Sequence, residues 1–346
     1  MIKERAPGKL YIAGEYAVVE PNHSAILVAV NKFVTVEVLP FERGIIYTNL
    51  LNKPVNWKRS NGRILGENQE SLSFLYSSMQ VVEEYLNEQG VNLIYYTLKI
   101  ESELDQEQKK YGLGSSAAVT VAAIKTLLAF YNKSVNKEEL FKLASLAHLK
   151  LNTNGSLGDI AASVYTGVIS YTSFDRLWVK NKMDEPISQL IKIPWPYLEI
   201  NSLTPPNDFK LLVGWTKKPA STSNLVREIT QLKTLDPNRY AQFLSESKTC
   251  VEQIVEGFKQ EDLSLIKKEI TRNRLLLKTL SNKIETKELA KLCDIAERFN
   301  GAAKSSGAGG GDCGIVIIEE YEELIPLLHK WTEQGIFPIN LKIYFD

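Results

Sequence analysis

The chain has only three histidines, His23, His148 and His329, scattered along 346 residues. They offer neither a metal-ligand spacing nor a histidine base. Cysteine is as scarce: Cys250, Cys293 and Cys313 form no C-x-x-C pair and lie too far apart for a disulfide framework. A reducing, cytoplasmic compartment is therefore expected. Net charge is absent, since 41 Lys and Arg balance 41 Asp and Glu. That balance argues against a general nucleic-acid binder and leaves room for a local basic pocket. No apolar run reaches the ~20 residues of a bilayer span, because Lys125 interrupts the longest, Ala117–Tyr131. Lys9 and Glu15 break the apolar stretch a signal peptide needs, so neither export nor membrane attachment is expected. There is no internal repeat and no low-complexity tail.

What is present is a globular composition, 44% hydrophobic and 24% charged, at a length of roughly two domains of ~150 residues. Lys9–Val19 and Ala25–Leu39 read as strands joined by a turn at Pro21-Asn22, and Val91–Glu101 as a further strand. Leu72–Asn87, Ala117–Tyr131 and Lys137–Leu151 read as helices, the last opened by Asn136 as N-cap. Another helix begins near Asp159, and Val168–Phe174 is strand-like. Five of the 13 prolines fall between Pro186 and Pro206, which marks an inter-domain connection or edge structure. Beyond it come a strand at Phe209–Trp215, long helical patterns over Ser223–Thr279 and a helix at Lys287–Phe299. A glycine-rich turn, a strand at Cys313–Glu319, a helix at Glu322–Gln334 and a strand at Asn340–Phe345 complete the chain. The sum is an α+β chain with two domains, 1–200 and 201–346.

Three segments carry chemistry. Gly112-Leu113-Gly114-Ser115-Ser116-Ala117-Ala118 sets two glycines and two serines before an apolar helix. Glycine lets a backbone approach an anion, and the free N–H groups and dipole of a first helical turn favour phosphate. A plain Gly/Ser cap on a buried helix is the other reading. The Walker pattern does not occur, which disfavours a P-loop NTPase. In Lys304–Gly314, five of eleven residues are glycine. Placed between a helix and a strand, they read as a tight loop near a ligand or another backbone, not as a linker. Its glycines are expected at positive φ or against ligand, and a β-branched residue at Gly309 to damage turnover more than stability. In Ala6–Val19, Lys9 stands where the chain enters a buried strand, so its ammonium needs a partner or a ligand.

Together these segments resemble the GHMP kinase superfamily, which includes galactokinase, homoserine kinase, mevalonate kinase and phosphomevalonate kinase. The details are most similar to bacterial phosphomevalonate kinases: G-K-L-Y-x-A-G-E-Y-A at 8–17, K-K-Y-G-L-G-S-S at 109–116 and N-G-S-L-G-D at 154–159. They continue with S-F-D-R at 173–176, G-W-T-K at 214–217 and K-S-S-G-A-G-G-G-D-C-G at 304–314. The resemblance implies a first domain like ribosomal protein S5 domain 2, a second with a ferredoxin-like core, and ATP and substrate meeting between them. It implies that Gly112, Leu113, Gly114, Ser115, Ser116, Ala117 and Ala118 wrap the ATP phosphates, with Ser116 a Mg²⁺ contact. Lys9 and Asp159 would stand at the reacting centre. Tyr16, Lys110, Asn154, Ser156, Thr222, Ser223, Ser306, Gly307, Ala308 and Gly309 would face the phosphorylated substrate.

Several of these residues keep a structural alternative. Asp159 follows Ser156 at capping-box spacing, and Tyr16 would serve as a core aromatic with a bonded hydroxyl. Arg176 would pair with Asp175 or with a ligand. The reaction implied is transfer from ATP to 5-phosphomevalonate by a monomer or homodimer that binds neither nucleic acid nor membrane. The competing readings are mevalonate kinase, diphosphomevalonate decarboxylase and a non-catalytic binding protein on the same fold.

Overall fold

The computed structural model describes residues 1–67, 70–106, 109–153, 155–218, 222–319 and 324–346, without the side chains of 105, 106, 109, 110, 222–224 and 226. The first part of the chain runs β1 (Ile2–Ala13), β2 (Ser24–Pro40), β3 (Gly44–Thr48), β4 (Val55–Ser60), β5 (Arg63–Gly66), α1 (Ser73–Glu88), β6 (Tyr96–Ser102), β7 (Asp105–Gln106) and β8 (Lys109–Lys110). It continues through α2 (Ser115–Phe130), α3 (Lys137–Lys150), α4 (Gly158–Tyr165), β9 (Val168–Thr172), α5 (Arg176–Lys180), α6 (Ile187–Leu190) and β10 (Glu199–Leu203). The remainder is β11 (Phe209–Trp215), α7 (Thr222–Leu235), α8 (Pro237–Lys259), α9 (Leu263–Leu280), α10 (Lys287–Glu297), β12 (Ala302–Ser305), β13 (Cys313–Glu319), α11 (Leu324–Glu333) and β14 (Phe337–Ile339).

The first domain is an eight-stranded sheet in the order β10-β9-β2-β6-β3-β4-β5, with β1 also paired to β2. Its helices α1–α4 bury Ala- and Leu-rich faces, and every apolar residue from Val121 to Ile124 in α2 is fully buried. Such burial, at about 25 cal/mol per Å² of apolar surface, is the main stabilising contribution. The helix α3 begins at the expected Asn136, which forms a full capping box with Glu139. The proline-rich window 186–206 contains the four-residue helix α6 and the edge strand β10, where missing N–H donors do least harm.

The second domain has a four-stranded sheet in the order β12-β13-β11-β14. Taken in chain order, its strands stand second, third, first, fourth, all antiparallel, with helices between first and second and between third and fourth. This is the ferredoxin-like βαββαβ arrangement. A core of buried residues runs without a break from Leu10 and Ile12 of the first domain to Ile315 and Ile317 of the second. A second cluster around Leu292, Leu327 and Trp331 fills the other face of the smaller sheet. Among the described residues no helix is long and apolar enough to cross a membrane.

Several segments differ from expectation. The strand read over Lys9–Val19 ends at Ala13, because the chain turns at Gly14 and at Tyr16 (φ 87° and 63°) into a single helical turn at Ala17–Val19. Three short strands, β3–β5, occupy residues 44–66, where no element was expected. The last strand is Phe337–Ile339, not Asn340–Phe345. The tail beyond it crosses back to the first domain. There Asn31 N–H donates to Lys342 O (3.0 Å), Gly167 N–H to Tyr344 O (2.7 Å) and Tyr344 N–H to Ala29 O (2.9 Å). Tyr344 meets Phe33 edge-on at 4.9 Å between ring centroids. The apolar alternation of L-K-I-Y-F is real, but it packs as an extended strap with one bridge, Val30 to Ile343.

Candidate active site

The strand β1 is irregular at Pro7/Gly8, where its register against β2 shifts. Just beyond, the Lys9 N–H donates to Leu113 O (2.9 Å) and the Lys9 Nζ to Gly112 O (3.1 Å). The lysine, 8% exposed, thus lies along the loop that leads into α2. Gly114 holds the tightest point. At φ 79°, a Cβ there would come 2.9 Å from Lys9 Cε and 3.6 Å from Asp159 Cβ. Only glycine allows both the backbone angle and the close approach.

Gly114 is also the N-cap of α2, in a left-handed conformation and with no side-chain cap. The first intrahelical bond runs from Ala118 N–H to Gly114 O (3.1 Å). The N–H groups of Ser115, Ser116 and Ala117 therefore have no acceptor among the described residues. Three open donors at the positive end of a 16-residue helix, beside a buried ammonium, have the chemistry to hold a polyanion. Ser115 and Ser116 are half-buried, while Ala117 and Ala118 pack inward. The Ser116 hydroxyl sits in that first turn.

Asp159 lies in the first turn of α4, half-buried, and accepts from its neighbour Ile160 N–H (3.1 Å). The capping box suggested by its spacing from Ser156 does not form: the N-cap is Leu157, at φ 66° with no side-chain cap. Ser156 instead accepts from Gly158 N–H (3.3 Å), bonds Tyr11 OH at 2.8 Å and takes the Tyr171 hydroxyl on its carbonyl (2.7 Å). Among the described residues no ion pair joins Asp159 to Lys9, yet the carboxylate dominates the field around it. Burial pushes the Lys9 ammonium below the ordinary lysine value, and Asp159 opposes this first, then Asp312, Cys313 and Glu15. His148 is also buried near Asp159; burial pushes its imidazole down, favouring the neutral form, and it bonds Thr120 at 3.1 Å.

The second domain reaches this site through the loop between β12 and β13. Asp312 packs beside Gly112, whose missing Cβ would lie 2.7 Å from Asp312 Oδ2. Gly307, Gly309 and Gly310 have φ of 77°, 69° and 75°. Their surroundings differ. A Cβ on Gly309 would stand 2.4 Å from the Ile284 carbonyl, whereas one on Gly307 would meet nothing within 4 Å. The tight neighbour of Gly309 is thus protein backbone, and the expectation for that position changes. Gly309→Val should lower the melting temperature together with turnover, while Gly307→Ala should cost only the backbone strain of about 1 kcal/mol. Paired thermal melts and rate measurements would check this; a Gly309→Val protein of wild-type melting temperature would contradict it.

The remaining expected residues fall into two groups. Tyr16 and Ala308 meet, the Tyr16 hydroxyl donating to the Ala308 carbonyl, and Ser306 bonds the Tyr11 backbone. Asn154 lies outside the described residues, as do the side chains of Lys110, Thr222 and Ser223. The backbone of Lys110 pairs with Asp105 in the two-stranded hairpin that precedes the Gly112 loop. Arg176 donates to Gly155 O (2.6 Å) and Val19 O (2.5 Å). Asp175 is occupied as the N-cap of α5, accepting from Leu177 and Trp178 N–H at 3.0 Å. Three residues at the site had no role assigned from sequence: Glu15, Lys304 and Asp312. Glu15 and Lys304 are ion-paired and 3% and 0% exposed. Their only sequence signal was their place inside glycine-flanked motifs.

Residues 73–167 match the family model for the GHMP kinases N terminal domain, and residues 254–336 that for GHMP kinases C terminal. The chain is similar to a phosphomevalonate kinase of Streptomyces, at 35% identity covering 98% of this chain and 96% of the relative. A mevalonate kinase of Methanocaldococcus jannaschii is 26% identical, covering 97% of this chain and 98% of its own. Among solved structures, the phosphomevalonate kinase of Streptococcus pneumoniae in complex with phosphomevalonate and AMPPNP superposes with a TM-score of 0.91. It is 32% identical and covers 99% of this chain and 100% of its own.

Proposed function

The chain belongs to the GHMP kinases, and from that premise we propose that it is a phosphomevalonate kinase, converting ATP and 5-phosphomevalonate to ADP and 5-diphosphomevalonate. The observation that carries the reading is the convergence at Gly114, where an uncapped helix N-terminus, the buried Lys9 and Asp159 meet. A greater likeness to phosphomevalonate kinases than to the mevalonate kinase cited supports the phosphorylated acceptor.

The nucleophile is a phosphate oxygen of the substrate. A phosphomonoester has its second pKa near ~6, so at neutral pH it is already largely a dianion. A new P–O bond forms to the γ-phosphorus while the bond to the ADP oxygen breaks, and no proton needs to be removed. The barrier is the approach of two anions, so this chain's contribution is positive charge and positioning. The N–H groups of Ser115, Ser116 and Ala117 would hold phosphate oxygens, and Lys9 would lie over the transferring group. Mg²⁺ typically takes one or two protein oxygens and completes its shell with water and phosphates. The half-buried Ser116 hydroxyl and the Asp159 carboxylate, which lies beside Gly114, fit that limited demand. The ion, when bound, would neutralise charge on the nucleotide phosphates.

The reading describes a cytoplasmic enzyme acting on a small metabolite. The test is steady-state turnover with ATP and either 5-phosphomevalonate or mevalonate. ADP release with phosphomevalonate is expected, and turnover with mevalonate alone would replace this reading by mevalonate kinase.

A further inference from the structure

Three consecutive residues of the second-domain loop are each gripped by the first domain. Ser306 Oγ accepts from Tyr11 N–H (2.8 Å) and donates to Tyr11 O (3.1 Å). Gly307 N–H donates to Glu15 Oε1 (3.3 Å), and the Tyr16 hydroxyl donates to Ala308 O. Behind these contacts the Lys304 Nζ donates to the same Glu15 Oε1 and to Ser305 O (2.7 Å). The pair bridges the domains across 289 positions of sequence, with neither side chain more than 3% exposed. The second Glu15 oxygen, Oε2, is buried with no hydrogen-bond partner.

An ion pair stripped of water is an inefficient way to hold a fold. Its desolvation cost can exceed its Coulombic gain, and well-packed apolar replacements are often as stable. The turn that aims Glu15 is also conformationally expensive. Tyr16 sits at φ 63° and ψ −48°, a region that non-glycine residues avoid. Such a costly arrangement is better explained by what it orients. Its output is the placement of Gly307, which has open space on its Cβ side, in a loop that also carries Asp312 to the Gly112 turn.

We propose that Glu15 and Lys304 are positioning residues for phosphoryl transfer, a buried ionic latch that sets the Ser306–Gly311 loop over the site built around Lys9. This inference rests on the kinase reading above. Single variants leave one charge buried alone and are expected to melt early. The deciding protein is therefore Glu15→Gln combined with Lys304→Met, which removes both charges at nearly constant volume.

Two measurements on the full chain decide it: kcat with each KM, and amide hydrogen exchange over residues 305–312. The double variant should fold and exchange this segment faster than wild type. It should also lose about tenfold or more in kcat, with both KM values within roughly threefold, because small misplacements act mainly on the transition state. A kcat loss below about tenfold, or a loss confined to KM, would assign the pair to structure alone. So would unchanged exchange or a double variant that does not fold. If the wild type does not turn over phosphomevalonate, the functional reading fails, and the exchange experiment alone decides the latch.

Discussion

Lys9→Met is expected to leave the protein folded and to lower kcat with phosphomevalonate by about 10²-fold or more, the scale seen when one preorganised electrostatic donor is removed. The structure explains why the fold should survive. The aliphatic stem of Lys9 packs against Gly114, and methionine fills much of that volume. What disappears is one hydrogen bond to the Gly112 carbonyl and a charge that burial already disfavours. The same burial gives the site a pH signature. Because burial pushes the Lys9 ammonium below the ordinary lysine value, its charge is lost at lower pH than that of an exposed lysine. The wild-type kcat/KM should therefore fall on the alkaline side with an apparent pKa below 10.5. Near-wild-type kcat in a folded Lys9→Met protein would remove the residue from the reacting centre.

Asp159→Asn is expected to cost most of the activity without creating a demand for base. A phosphate acceptor is already ionised at about pH 7–8, whereas an alcohol acceptor would need a base contributing about 10²–10⁴-fold. Asp159 is the foremost of the charges that keep Lys9 protonated. Its neutralisation should shift the alkaline fall of kcat/KM to lower pH than in the wild type, with no recovery of rate between about pH 7 and 9. A log-linear rise of kcat with pH in the variant would mean that hydroxide replaces a missing base. Asp159 would then be a proton acceptor, and the acceptor substrate an alcohol.

How much of this was legible in sequence depended on how local the determining physics is. Phe209–Trp215 and Cys313–Glu319 were read to the residue because each holds a compact apolar stretch, L-L-V and I-V-I-I, bounded by turn signals. The strands at 44–66 escaped, since V-N-W-K-R-S and R-I-L-G are short and charge-bearing. Their hydrophobic alternation shows only once Trp57 and Ile64 are seen buried. That Lys9, the Gly112–Ala118 loop and Asp159 lie together was legible because each sits in a short motif. The Glu15–Lys304 pair was not, because a lysine before a glycine-rich turn looks solvated until a carboxylate 289 positions away closes on it. The Asp159 capping box shows the reverse error. The spacing was right, but a left-handed Leu157 takes the N-cap instead.

The returning tail has a consequence for the order in which the molecule is built. The sheet of the first domain extends to Leu203 and is then joined, after an excursion of more than a hundred residues, by the segment around Tyr344. The smaller domain is therefore an inset within the larger one. On a ribosome, where domains generally fold as units as they emerge, the inset has all four of its strands before the host receives residues 342–344. Ala29, Asn31 and Gly167 offer backbone groups that find their partners only when residues 342–344 arrive. The N-terminal half thus waits, incomplete along one margin, until residues 342–344 have been made.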